Sequence, residues 1–236
     1  LRASVDVARR TGSAQVIAES RMALAVILLY SGDATAALRQ AALAVRTGAT
    51  GGDGRMQVQH ALILYRLGRY DAALDAFRRA LVLARKAGDA DGEARILNNR
   101  GLVLTYRGAL QAADADFRAS EQIAERLGQS LAAACARQNI GWVAARRGDL
   151  PAALADFDRA ELVIAEAGGA RHGIFELDRC QILMSCGLLR EAHASARRAV
   201  DVLAAAGMGV ELPEARLALA QTALADGDIA GARAAA

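Results

Sequence analysis

The segment GLVLTYRGALQAADADF, residues 101–117, decides the fold. Gly101 is followed seven positions on by Gly108, five further by Ala113 and four beyond that by Phe117. Glycine reaches the left-handed conformation that ends a helix at little steric cost. A glycine closing an apolar run of helical period, with a second such run behind it, therefore predicts two helices meeting at Gly108. The same frame recurs at Gly32, Gly68, Gly148, Gly187 and Gly227, with successive intervals of 36, 40, 40, 39 and 40 residues when Gly108 is included. A second set, Gly12, Gly48, Gly88, Gly128, Gly168 and Gly207, interleaves with the first. Two helix breaks per period predict one helical hairpin per period.

Residue size follows the same register. The fifth residue after each turn glycine is Ala37, Ala73, Ala113, Ala153, Ala192 or Ala232. Nine after come Ala41, Phe77, Phe117, Phe157 and Ala196, and twelve after come Ala44, Ala80, Ser120, Ala160 and Ala199. Seven before the turn stand Ala25, Ala61, Gly101, Gly141, Cys180 and Ala220. Small, large and small residues at fixed places predict helices that cross closely. Asp33, Asp71 and Asp149, with Pro151, suit the starts of the second helices. The interval from Gly32 to Gly48, between turn glycines of the two sets, is 16 residues where its counterparts are 20, which predicts a helix about one turn shorter.

Composition agrees with an all-helical chain. Of 236 residues 54% are hydrophobic, too many for disorder. The chain contains 58 alanines against 4% aromatics, which excludes an all-β protein. The longest apolar run, Met22 to Tyr30, is well short of the ~20 residues that cross a bilayer. No secretory signal is visible, so no membrane partner is expected. The 29 basic and 26 acidic residues leave a net charge of +3, and Lys86 is the single lysine. No basic block marks a nucleic-acid footprint. Cys135, Cys180 and Cys186 lack paired-ligand spacing and read as reduced thiols, which places the chain in a cytoplasmic compartment.

This register resembles the tetratricopeptide repeat. The period of 40 is similar to that of a longer-helix variant found in kinesin light chain arms and bacterial sensor proteins. The early Trp and closing Pro of the short repeat are absent, and the first and fifth repeats lack the aromatic. The resemblance implies an all-α, right-handed superhelix of antiparallel hairpins. Over residues 1–236 the expected organisation is a single solenoid: a partial repeat at 1–12, hairpins at about 13–48, 49–88, 89–128, 129–168 and 169–207, and a partial repeat at 208–236. A narrower resemblance rests on Leu97 to Leu102, Asn139 to Trp142, Glu176 to Cys180, Ala206 to Val210 and Glu214 to Arg216. These stretches look like the helical arm preceding the caspase-like CHAT peptidase domain of some bacterial proteins. That resemblance implies a regulatory arm with a further domain attached, and repeats cut at both ends point the same way.

No catalytic constellation emerges. His60, His172 and His193 fall in different repeats, and His172 and Cys180 are separated by ~12 Å along one helix. Gly51 to Gly54 lacks the Lys and Ser or Thr of a phosphate loop and reads as an inter-repeat turn. Asp114 and Asp116, like Asp156 and Asp158, are two apart, share no helix face and are expected on the outer surface. The expectation is a non-enzyme without metal or cofactor.

What remains is a groove. In a solenoid of hairpins the first helix of each repeat lines the concave surface that takes extended partners. The expected lining is Arg55, Gln59 and Tyr65 in the second hairpin, Arg95, Asn98, Asn99, Leu102 and Tyr106 in the third, and Gln138, Asn139, Trp142 and Arg146 in the fourth. Asn is a poor mid-helix residue, so Asn98, Asn99 and Asn139 have a reason to be there beyond propensity. The resemblance implies a clamp on a peptide main chain, and a hydrogen bond fixing helix stacking is the competing explanation. Trp142 either packs against the neighbouring first helix or meets a partner. The expected partner is a protein or peptide in the groove. The alternative is a signal-sensing domain of a bacterial regulator that binds a small molecule or short peptide.

Overall fold

Eleven glycines among the described residues take positive φ, and ten of them are turn glycines of the two interleaved sets. A computed structural model describes residues 13–48, 54–209 and 211–235, which form twelve helices, and these glycines stand at every junction but the one between the second and third. The helices are α1 (Ala14–Tyr30), α2 (Ala34–Gly48), α3 (Arg55–Arg66), α4 (Tyr70–Ala87), α5 (Ala90–Tyr106), α6 (Leu110–Arg126), α7 (Ser130–Arg146), α8 (Leu150–Ala167), α9 (Gly169–Ser185), α10 (Leu189–Ala205), α11 (Leu212–Ala225) and α12 (Ile229–Ala235). The expected partial repeat at 1–12, including Gly12, and the turn residues 51–53 lie outside the described residues. No strand occurs among the described residues.

Gly48 departs from the glycine pattern. It is the last residue of α2, it is buried, and its φ is not positive. A Cβ there would stand 3.2 Å from Cγ of Met56 and 3.3 Å from Cβ of Ala18. Glycine serves at this position as a close-approach residue rather than a turn.

The described residues divide between two compact units, Leu1–Ile123 and Ala124–Ala236, the boundary falling within α6. Within the first unit α1 pairs with α2 and α3 with α4, and within the second α7 pairs with α8, α9 with α10 and α11 with α12. The small, large and small positions are the interior of these hairpins. Ala37, Ala73, Ala113, Ala153, Ala192 and Ala232 are all buried, as are Phe77, Phe117 and Phe157. A Cβ added to Gly101 would lie 2.6 Å from the Phe117 ring, and one added to Gly141 would lie 2.9 Å from the Phe157 ring. These approaches are closer than real Cβ contacts, so in these two hairpins the first helix gives up its side chain where the second places a phenylalanine, whereas Ala61 keeps a methyl group in the hairpin that carries Phe77.

The aspartates act where the turns need them. Asp33 accepts a hydrogen bond from the N–H of Ala36 at 2.9 Å, and Asp149 accepts one from Ala152 at 3.2 Å. Each satisfies an amide that a helix start leaves unpaired. Asp89 does the same for Gly92 at 2.9 Å. Asp71 instead pairs with Arg107 at 2.9 Å, across from one hairpin to the next.

Candidate functional site

In the first unit, the first helices α3 and α5 carry the expected lining. Arg55, Gln59 and Arg95 are exposed, while Asn98, Asn99 and Leu102 are half-buried. Tyr65 and Tyr106 meet with Tyr70 in a three-ring cluster at the turn ends, with centroids 5.6 to 6.2 Å apart. Burial raises the Tyr65 hydroxyl far above the usual phenol range, with the Tyr106 and Tyr70 hydroxyls adding to it. Tyr106 stays more than half exposed. The cluster therefore offers one accessible ring braced by two others.

Asp116 corrects the expectation of an outer-surface carboxylate. It is buried, and it accepts two hydrogen bonds from Arg100, at 2.6 Å from Nε and 2.7 Å from Nη2. A forked guanidinium on a carboxylate is among the strongest protein hydrogen bonds. This pair ties α5 to α6. Asp114 behaves as expected of a surface group, pairing with Arg118 one turn on.

In the second unit, the expected residues divide. Gln138 is buried, and its Nε2 donates to Oδ2 of Asp178 at 2.6 Å, linking α7 to α9 at a separation of 40 residues. For Gln138 the helix-stacking explanation therefore holds. Asn139 is half-buried on the same helix, and Arg146 is exposed at its end. Trp142 is half-buried and packs against the cluster that contains Phe157, Phe175 and Ile182. The Phe157 and Phe175 rings lie 5.2 Å apart.

Asp178 is a functional candidate that the sequence reading missed. Burial pushes its carboxyl up to about 7; the Gln138 hydrogen bond opposes this, Glu214 reinforces it and Arg171 opposes it. A carboxyl that titrates near neutrality is unusual for a structural aspartate. By register it stands nine residues before its turn glycine, as Gln59, Asn99 and Asn139 do before theirs. Counting from the turn would have placed Asp178 at the end of that polar series.

The buried Glu176 was also missed. Arg198 donates to it from Nε at 2.7 Å and from Nη2 at 3.0 Å, and Arg198 also donates to Ser195 at 3.0 Å. His172 lies 3.5 Å from the same carboxylate. Arg100 and Asp116 are each eight residues from Gly108, and Glu176 and Arg198 are each eleven from Gly187. Residues equidistant from the turn of an antiparallel hairpin come opposite one another, and that was the available signal. His193 goes elsewhere, to Thr222 at 3.1 Å, and burial, aided by Arg79, lowers the pKa of His60. Burial and then Glu176 push the Cys180 thiol up to about 11. Among the described residues no three His, Cys, Asp or Glu gather where a metal ion could be held.

Residues 53–126 and 93–161 match the tetratricopeptide repeat family model. That stretch is built of tetratricopeptide repeats. The chain is similar to BtubC (BKLC) from P. vanneervenii, at 16% identity and a TM-score of 0.67, covering 92% of this chain and 87% of that one. It is also similar to a Rap protein complexed with Competence and Sporulation Factor, at 15% identity and a TM-score of 0.78. A third similar structure is the Rap conjugation gene regulator of the plasmid pLS20 in complex with the Phr* peptide, at 14% identity and a TM-score of 0.75. In both Rap cases the match covers 94% of this chain and 62% of the other. At these identities the likeness shows a shared fold, an all-helical solenoid of the tetratricopeptide type. No curated protein matches the sequence. Among the described residues no helix is long and apolar enough to cross a membrane.

Proposed function

We propose that this chain is a protein- or peptide-binding module that uses the first helices of its hairpins, α3 and α5 in the first unit and α7 and α9 in the second. The observation that carries this reading is the polar series nine residues before the turn: Gln59 is exposed, and Asn99, Asn139 and Asp178 are half-buried, each mid-way along a first helix. Asn amides both donate to and accept from a peptide main chain whatever its side chains, and Arg, Tyr and Trp, which stand beside them here, are enriched at interface hot spots. In its finer form the module is the regulatory arm of a larger bacterial protein with a CHAT peptidase domain. That form rests on the sequence resemblance at 97–102, 139–142 and 176–180. A second reading, a sensor of a short signal peptide, is favoured by the likeness to a gene regulator in complex with a peptide. In either form the chain binds rather than catalyses.

The test is to pan a random-peptide display library on the whole chain and then measure the enriched peptides against Asn99→Ala and Asn139→Ala. Each variant is expected to weaken binding about tenfold, the loss of one or two hydrogen bonds, with little change in thermal midpoint. A large drop in midpoint with unchanged binding would assign the amides to helix stacking and sink the clamp.

A further inference from the structure

The tyrosines are not spread over the chain. There are four, all in the first unit, and three of them, Tyr65, Tyr70 and Tyr106, meet at the turn ends of two successive hairpins. Tyr65 and Tyr106 are the closest pair, with ring centroids 5.6 Å apart and planes inclined at 56°. Their hydroxyls are hydrogen-bonded to one another. In a phenol the ortho carbons flank the carbon that bears the hydroxyl, so this hydrogen bond also brings ortho carbons of the two rings together. Tyr70 stacks on Tyr106, with centroids 6.1 Å apart and planes at 22°. Arg107, next to Tyr106, pairs at 2.9 Å with Asp71, next to Tyr70, and so ties the two hairpins together beside the rings.

Access to the three phenols is unequal. Tyr106 is 58% exposed, whereas Tyr65 and Tyr70 are half-buried, so an external one-electron oxidant meets Tyr106 first. A radical on Tyr106 has the hydroxyl hydrogen of Tyr65 within a hydrogen bond of it. Transfer of that hydrogen atom moves the radical inward to Tyr65 and restores Tyr106 for a second oxidation. Two radicals then face each other across one contact. Tyr30, the fourth tyrosine, is exposed too, but its ring faces the Arg66 guanidinium at 5.5 Å rather than a second phenol.

We propose that Tyr65 and Tyr106 are an oxidative cross-linking site, joined through their ortho carbons when a haem peroxidase and hydrogen peroxide act on the chain. Each ring loses one ortho hydrogen and one carbon–carbon bond forms between them. The two electrons and two protons released reduce one hydrogen peroxide to two waters, and both phenol hydroxyls are retained. The new bond ties the C-terminal turn of α3 to the last residue of α5. A cross-link between residues far apart in sequence stabilises mainly by restricting the unfolded chain, so the linked first unit resists unfolding. The site is independent of the binding function proposed above.

The test treats the whole chain, in dilute solution, with a haem peroxidase and one equivalent of hydrogen peroxide, and then digests it with trypsin. Cleavage after arginine leaves the four tyrosines on four peptides, residues 22–39, 56–66, 70–78 and 101–107. The expected product is a monomer lighter by two hydrogens, with dityrosine fluorescence and with peptides 56–66 and 101–107 joined. Tyr65→Phe and Tyr106→Phe keep the rings and remove the hydroxyls, and each is expected to lower the yield at least tenfold, whereas Tyr30→Phe and Tyr70→Phe are expected to leave the product in place. The linked chain is expected to unfold at higher urea than the unlinked one. The identity of the joined peptides in the unaltered chain decides the matter even if a variant fails to fold. Links that only join separate chains, or that run through peptide 22–39 or 70–78, overturn the site. A linked chain no more resistant to urea overturns the stabilising role given to the bond.

Discussion

The α5–α6 hairpin of the first unit and the α9–α10 hairpin of the second solve one packing problem with opposite choices. In α5–α6 the first helix is pared to Gly101 so that the second can place Phe117, and in α9–α10 the first helix carries Cys180 against the small Ala196. The charges are exchanged as well. Arginine stands on the first helix and acid on the second in Arg100 with Asp116, and the order is reversed in Glu176 with Arg198. The repeat therefore constrains the pair rather than either residue. In both hairpins the carboxylate is the buried member and the arginine side chain the more exposed one, at 22% for Arg100 and 47% for Arg198.

The largest effect should come from stranding the more deeply buried acid. The Glu176 side chain is 1% exposed, so Arg198→Ala leaves a carboxylate without its main counter-charge and should cost about 3–5 kcal/mol in urea denaturation. Arg100→Ala should cost less, because the Asp116 side chain keeps 9% exposure. Replacing Glu176 and Arg198 together by Met should come close to the unaltered stability, since it removes both charges at once. A double variant as damaged as Arg198→Ala would show that the pair itself, rather than an uncompensated charge, holds α9 to α10.

Volume exchange gives the next effect. Ala196→Phe should overpack α9–α10 and cost about 1–3 kcal/mol. Adding Cys180→Gly transplants the α5–α6 solution and should recover part of that loss, less the ~1 kcal/mol of a glycine within a helix. If the second change deepens the loss instead, the two positions do not share one space.

The contrast also separates what was legible in the sequence from what was not. The hairpins, their turn glycines and the buried small-large-small series follow from spacing alone, because a fixed interval from the turn fixes depth in the hairpin. Asp116 was misplaced because helical period says which residues share a face but not which face the neighbouring helix covers. Gly48 was read as a turn because a glycine needed for close approach and one needed for positive φ are the same letter. Gln138 reads as a groove amide until Asp178, one repeat away, is brought to it. Asp178 itself was invisible as a titrating group, since its carboxyl is raised by burial and by Glu214 on a third helix.

Asp178 supplies the smallest and most specific effect, because this half-buried acid takes its hydrogen bond from an amide where the buried Asp116 and Glu176 take theirs from arginine. Burial holds its carboxyl at about 7 in the folded chain, against 3.8 for an unperturbed aspartate. The folded state thus holds the proton more tightly, and the stability this contributes is complete below 3.8, declines as pH rises and is gone above about 7. The decline is at most about 1.4 kcal/mol per pH unit. Asp178→Asn keeps an acceptor for Gln138 and carries no proton to lose. It should therefore be more stable than the unaltered chain at pH 8 and nearly equal to it at pH 4. Trp142, the single tryptophan, lies in the second unit and reports its unfolding by fluorescence. Parallel pH profiles for the two proteins would mean that water or Arg171 already compensates the charge. Convergence at low pH would establish that the amide link, unlike the two arginine pairs, makes this junction sensitive to protons near neutrality.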